Sequence, residues 1–453
     1  MFHEITRFAF AREYRRFILL LFIGALSHPV VAAPADLPEQ SFKERLLLLT
    51  RNHPRTKAAA ERLAAALAKA RYSGWYYPDP MIGFTYMEAP YKKDPADLSP
   101  KAFMETELMF SQAIPTPGRL SLESDIVDLE AQKARLRLMA TSNELTASFL
   151  RDLTAAWRIQ HHLDLTRQYL GRFQPILSIS GAQYALGKGG LADISMARLS
   201  SRNLEEKLQR YEKQHEAAEA TLSYYAPDIK TMHNFDAVAG YAEELLVAIK
   251  KESRKVAELS PELAMASLDS QIEEKRTTID KLDYAPDFTI FAKYLRSRPG
   301  NREPTEALPD NRISLGFTMR VPLWSALNNH NNVEESSRLT DAARFQYDDL
   351  NLAAEASRRA LLSDIESATE RIKLYRGRMI PEVNRAVLAA REGYQAGSTE
   401  FNSLLRVWET LYSLEMEAVE LEAERFEKIF ELARILNLIQ PDPRADSEKK
   451  EDL

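Results

Sequence analysis

Apolar positions along the chain follow two different periods. In the stretch 119–174, Leu120, Ile126, Val127, Leu129, Leu136, Leu138 and Leu145 recur at threes and fours with charges between them and no proline among them, the signature of an amphipathic helix. The pattern returns over 325–380, and shorter helical stretches over 194–225 and 403–438 read as the returning arms. At ~1.5 Å of rise per residue, the first of these helices alone reaches about 84 Å. Helices of that length exceed a compact domain and pair as antiparallel coiled coils. Elsewhere the period falls to two. Ile313, Leu315, Phe317, Met319 and Val321 alternate with Arg312, Ser314, Gly316, Thr318 and Arg320, so one face of a strand is apolar and the other polar. Phe288, Ile290, Ala292 and Tyr294 form a partner strand; Ile82, Phe84, Tyr86 and Leu108, Phe110 form another such pair. Runs of ~9–10 residues match a tilted membrane-crossing strand, and they also suit half-buried hairpins in a soluble protein.

The pattern is written twice. Phe110-Ser-Gln-Ala-Ile-Pro115 is matched 207 positions on by Phe317-Thr-Met-Arg-Val-Pro322, and Tyr184-Ala-Leu-Gly187 is matched 210 positions on by Tyr394-Gln-Ala-Gly397. Each copy reads helix, strand, strand, long helix, tight turn, long helix. The organisation expected is a first copy over 34–226, an inter-repeat segment over 227–259 that forms a small belt, a second copy over 260–439 and a disordered, charged tail over 440–453. Pro175 and Pro381 fall near the ends of the outgoing helices, where a proline bends or breaks the helix. Trp75, Tyr76, Tyr77 and Trp324 flank the strands, as an interfacial aromatic girdle or as plain packing.

Composition narrows the classes. Residues 1–33 carry Arg7, Arg12, Arg15 and Arg16 ahead of an apolar run at 17–26 and the small stretch Val30-Val31-Ala32-Ala33, the layout of a cleaved secretory signal. Its removal takes the formal charge from −6 to −8. The 453 residues hold no cysteine, which excludes disulfides, thiolate metal sites and a cysteine nucleophile. Mild acidity gives no field for nucleic acid. With a mean hydropathy of −0.37 and no internal apolar run of ~18 residues, membrane-spanning helices are excluded. Fifteen glycines are about half the usual ~7 % share, in keeping with long unbroken elements.

The order of elements, together with Pro78-Asp79-Pro80, the run from Phe110 to Gly118-Arg119, the Tyr184–Gly187 motif followed by Asp193 and Met196-Ala197-Arg198, and Tyr394–Gly397, resembles the TolC family of outer-membrane efflux and secretion channels. The resemblance covers nearly the whole mature chain. It implies a mostly α protein with a small β part: long antiparallel coiled-coil helices plus two β-hairpins per protomer. Three protomers would close a trimeric twelve-stranded barrel in the outer membrane, continued by an α-helical tunnel across the periplasm. It implies a passive duct in tripartite efflux or type I secretion, with outer-membrane lipid, a periplasmic adaptor and an inner-membrane pump as partners, and neither enzymatic activity nor cofactor. The stretch from Phe110 to Arg119 looks most like the branch that exports metal ions. On the lipid face the resemblance and the alternation place Ile313, Leu315, Phe317 and Met319.

The same resemblance puts Asp193 and Tyr394 at the pore constriction, and Gly187, Leu191, Gly397 and Phe401 at the periplasmic tips that meet the adaptor. Ser403, Thr399 and Arg406 depart from the charged gate pattern. Asp193 also heads the returning helix, where a carboxylate suits the helix dipole whether or not it lines a pore. His161 and His162 are adjacent on a helix and point apart, so no metal site is expected, and Gly187-Lys188-Gly189-Gly190 lacks the spacing of a phosphate loop. The alternative reading of the chain is a soluble periplasmic coiled-coil structural protein.

Overall fold

The computed structural model describes residues 42–73, 77–87, 105–187, 189–225, 235–297 and 311–440. The secretory signal at 1–33, most of both polar hairpin loops, Trp75 and Tyr76, and all of the tail beyond Gln440 lie outside the described residues. In chain order the elements are α1 (Phe42–Asn52), α2 (Pro54–Tyr72), β1 (Met81–Met87), β2 (Glu105–Ile114), α3 (Arg119–Ala185), α4 (Leu191–Leu222), α5 (Ala237–Lys251), α6 (Val256–Leu259), α7 (Pro261–Leu282), β3 (Asp287–Ser297), β4 (Asn311–Arg320), α8 (Ser325–Leu374), a π turn (Tyr375–Met379), α9 (Ile380–Ala396) and α10 (Phe401–Ile435). No described helix is long and apolar enough to cross a membrane.

The two strand pairs are one sheet. Its order is β1-β2-β3-β4, antiparallel throughout, and β2 pairs with β3 along its full length. The two copies are therefore joined by the same ladder that closes each hairpin. Registers such as Phe84↔Leu108, Leu108↔Tyr294 and Tyr294↔Ile313 put the apolar positions of the sequence alternation on one face. That face is open: Ile82 and Ile313 are 75 % exposed, and Leu315 is 80 % exposed. The opposite face carries Glu107, Lys293 and Ser314. Lys293 pairs with Glu107 at 3.1 Å, and the Phe291 ring lies over Gly316, where a Cβ would come within 2.6 Å of it.

The sheet is fastened to the helices at the strand–helix junctions. The Thr116 N–H and hydroxyl both donate to Asp287 Oδ1, at 3.2 and 3.1 Å. Arg119, in the first turn of α3, pairs with Asp283 at the end of α7. Gly118, at φ 93°, turns the chain into α3, a conformation that costs glycine little.

Long helices then carry two separate cores. One gathers Leu145, Phe149, Leu153 and Trp157 of α3 with Tyr241 and Leu245 of α5 and Phe426, Ile429 and Phe430 of α10. The inter-repeat segment thus packs as a helix on the coiled coils. The other core joins Tyr169, Phe173 and Ile176 of α3 to Leu404, Trp408 and Tyr412 of α10.

Neither outgoing helix breaks at its proline. α3 passes through Pro175 to Ala185, and the second helix reaches Ala396, with the π turn immediately before Pro381. Pro175 is tolerated because Phe173 and Ile176 on either side of it are buried, at 0 % and 4 % exposure. A proline inside a helix costs ~3 kcal/mol, which burial of flanking apolar side chains offsets at ~1.5–3 kcal/mol each.

Candidate functional site at the helical tips

Each pair of long helices meets at a hairpin tip, and both outgoing helices end on a left-handed glycine. At the first, Gly187 has φ 69° and its N–H bonds the Tyr184 carbonyl at 3.0 Å. At the second, Gly397 has φ 76°, its N–H bonds Tyr394 at 3.1 Å, and the Ser398 N–H bonds Gly393 at 2.9 Å. At the second tip these paired bonds are the Schellman closure, which requires the left-handed residue that glycine supplies most readily.

The tips make the same close approach with the glycine on opposite sides. At the second, a Cβ on Gly393 would fall 2.3 Å from Thr399 Oγ1. At the first, the position matching Gly393 is Gln183 and the position matching Thr399 is Gly189, where a Cβ would lie 3.3 Å from Gln183 Cβ. At each tip a glycine on one side faces the larger residue on the other.

Asp193 sits at the third position of α4 and caps it. Its Oδ2 accepts the Gly190 N–H at 3.3 Å, while its own N–H bonds the Gly190 carbonyl at 3.1 Å. Tyr394 is 6 % exposed, with its ring 5.5 Å from that of Phe401. Burial raises the pKa of its hydroxyl; Ser180 beside it lowers that pKa, and the nearby Asp193 carboxylate raises it further. The structure therefore brings Asp193 and Tyr394, from different copies, into one neighbourhood. Gln183 Nε2 donates to the Gln395 carbonyl at 3.1 Å and ties the two tips together.

Of the residues expected at the tip surface, Leu191 is 64 % exposed, whereas the Phe401 side chain is buried at 2 % against Tyr394. Gly187 and Gly397 shape the turns. On the sheet, Ile313, Leu315, Phe317 and Met319 are all exposed on the apolar face, and so are Tyr77 and Trp324 next to the strands. Sequence reasoning missed Gln183, Ser180 and Gly393. The signal for Gly393 was available, because Gly393 and Gly189 occupy opposite members of two matched positions.

Beyond the second core a cleft of about 610 Å³ opens between α3, α4 and α10. At its floor His162 is 6 % exposed, with Nε2 3.6 Å from Glu420, which Arg158 also holds at 3.2 Å. The groups around the ring are Glu420 and Glu417 from α10, Tyr211, Lys207 and Arg210 from α4, and Arg158 and His161 from α3. Burial lowers the His162 pKa below 6.5, and this outweighs the attraction of Glu420. With a depressed native pKa, the unfolded chain takes up the proton first as pH falls below 6.5, so stability drops from there down to the native pKa. His162→Gln removes that loss. Unfolding midpoints of the two proteins should converge as pH falls from 7.5 to 5.5; parallel profiles would show that His162 does not titrate differently on folding.

Among the described residues no group of three or more histidine or acidic side chains is placed to hold a metal ion. The arrangement offers two tips, an apolar sheet face and a polar one.

Residues 253–438, which lie mostly in the second copy, match the family model described as outer membrane efflux protein. No curated protein matches the chain by sequence. Solved structures with the same fold include the outer membrane protein VceC of Vibrio cholerae, at 16 % identity and a TM-score of 0.69, covering 87 % of this chain and 95 % of that one. The Campylobacter jejuni CmeC outer membrane channel is similar at 11 % identity and a TM-score of 0.67, covering 94 % of this chain and 97 % of that one. CusC, studied for transmembrane channel formation, is similar at 13 % identity and a TM-score of 0.69, covering 91 % and 97 %. At these identities the likeness establishes the fold.

Proposed function

We propose that this chain is one third of an outer-membrane efflux duct, a passive channel that docks on a periplasmic adaptor and an inner-membrane pump and exports what the pump delivers, metal ions or drugs. The observation that carries this reading is the sheet. Its four described strands have a largely apolar face that is exposed, a more polar opposite face, and two terminal strands, β1 and β4, each with a described partner on one side only. Open edges are not tolerated in lipid. An even number of strands lets β4 of one copy meet β1 of the next in the antiparallel sense, so three copies close a barrel of twelve. The match of residues 253–438 to the efflux family supports the same reading, and so does the length of α3, which at 67 residues extends roughly 100 Å. Asp193 and Leu191 then stand at the periplasmic entrance, the first at the constriction with Tyr394 packed behind it and the second meeting the adaptor.

The reading is tested by detergent extraction followed by bilayer recording. A heat-modifiable trimer recovered from the outer membrane, with discrete conductance steps, is the expected result. A chain that purifies without detergent as a monomer and carries no current would overturn the duct and restore the soluble coiled-coil scaffold.

A further inference from the structure

The two hairpins of the sheet are built to one register. Strand β1 maps onto β3 at an offset of 208, Ile82 onto Ile290 and Tyr86 onto Tyr294, and β2 maps onto β4 at 207, Phe110 onto Phe317 and Pro115 onto Pro322. These offsets turn the pair Ile82↔Phe110 of the first hairpin into Ile290↔Phe317 of the second, which is the pairing found there. The hairpins are therefore equivalent units, and the β2–β3 ladder is the joint between one unit and the next.

The same joint can be carried to the free edges. Applied to β4 and to β1 of a following copy, it turns Phe110↔Ala292 into Phe317 opposite Phe84, Leu108↔Tyr294 into Leu315 opposite Tyr86, and Gln112↔Ile290 into Met319 opposite Ile82. All of β1 then lies within β4, from Met81 opposite Arg320 to Met87 opposite Ser314. The tilt of the strands agrees. Passing from β1 through β2 to β3 takes Ile82 to Phe110 and on to Ala292, two residues beyond the counterpart Ile290. Six such units advance the register by roughly 12 residues around twelve strands, a tilt of about 35° at ~3.4 Å per residue and ~4.8 Å per strand, at the edge of the ~35–45° range of membrane barrels. A one-residue slip would turn the apolar side chains inward. A two-residue slip at each seam gives about 20° or about 47°.

The foot of the joint adds a charge argument. Within the chain it is fastened by Asp287, whose carboxylate accepts the N–H and the hydroxyl of Thr116. The equivalent positions across a seam are Asp79 and Leu323, and a leucine side chain has nothing to donate. Arg320 does. It lies on the polar face opposite Met81 of the next copy, hence diagonal to Asp79, a spacing that long side chains bridge. Asp79 and Arg320 are both exposed, and neither has an ion-pair partner among the described residues.

We propose that β4 of one copy joins β1 of the next in this register, with Phe317 opposite Phe84, and that Arg320 fastens the foot of each seam to Asp79 of the next copy. The partner these edges fit is a second copy of this chain. The seam rests on the duct reading; its register is a separate claim.

The chain has no cysteine, so introduced pairs report alone. Full-length protein carrying Phe84→Cys and Phe317→Cys, oxidised in outer membranes, should run as a covalent trimer on a non-reducing denaturing gel. Directly opposed Cβ atoms lie ~4.5–5.5 Å apart and diagonal ones ~7–8 Å, too far for a disulfide. Phe84→Cys combined with Leu315→Cys or with Met319→Cys should therefore link poorly. Residues 84 and 317 of one chain are three strands apart, ~14 Å, so the link cannot be internal. Asp79→Arg or Arg320→Asp alone should lower the fraction recovered as trimer, and the exchanged pair Asp79→Arg/Arg320→Asp should restore it. A trimer that links through 315 or 319 in preference to 317, or through none of the three, overturns the register and leaves the duct standing. An exchanged pair no better than the single variants overturns the Asp79–Arg320 contact. A wild type that gives no heat-modifiable trimer overturns the duct, and the seam with it.

Discussion

Leu315→Arg will keep the protein out of the outer membrane. Leu315 lies in mid β4, 80 % exposed, opposite Ala292 and between Ile313 and Phe317 on the same face. On a water-facing surface such a change stays within about ±0.5 kcal/mol and improves solubility. Facing lipid, an arginine near the bilayer midplane costs ~2–4 kcal/mol, once in every copy. Ser314→Arg, one residue away on the polar face, should insert normally. The measurement is the fraction of each variant recovered as trimer from outer membranes. Normal recovery of Leu315→Arg would mean that lipid does not touch this face.

Phe173→Ala should have the largest effect on the helical part, ~3–5 kcal/mol, the usual cost of deleting a fully buried aromatic ring. Its ring is wholly enclosed against Trp408. The damage should stay local, because the core around Phe173 and Trp408 is separate from the one around Phe149 and Phe430. Hydrogen exchange should quicken at residues 394–412 and remain slow at 145–157. Uniform acceleration along α10 would show that the two cores open as one cooperative unit.

How much of this was legible depends on the range of the interaction. Local rules worked where local geometry decides. The alternation from Ile313 to Met319 fixed which side chains share a face, and the spacing to Gly187 and Gly397 located both tips. Alternation says nothing about partners, however. The β2–β3 ladder joins Phe110 to Ala292 across 182 residues, so the placing of both hairpins in one sheet came from the resemblance and not from the alternation. At Pro175 the sequence left a bend and a break open, and the burial of Phe173 and Ile176 accompanies a helix that is not broken there. At the tips, Asp193 was readable as a cap from its place at a helix start. The burial of Phe401 was not, because its position in the turn resembles that of the exposed Leu191.

The β2–β3 seam also bears on how the molecule is put together in time. A chain holding a single copy would have to find five others before a ring of the same size could close, whereas here every second seam is already covalent. Under the trimeric reading three bodies must meet instead of six, so the yield of closed rings depends on the third power of subunit concentration. Partly built sheets with open edges, the species most prone to aggregate, accordingly have fewer stages in which to accumulate.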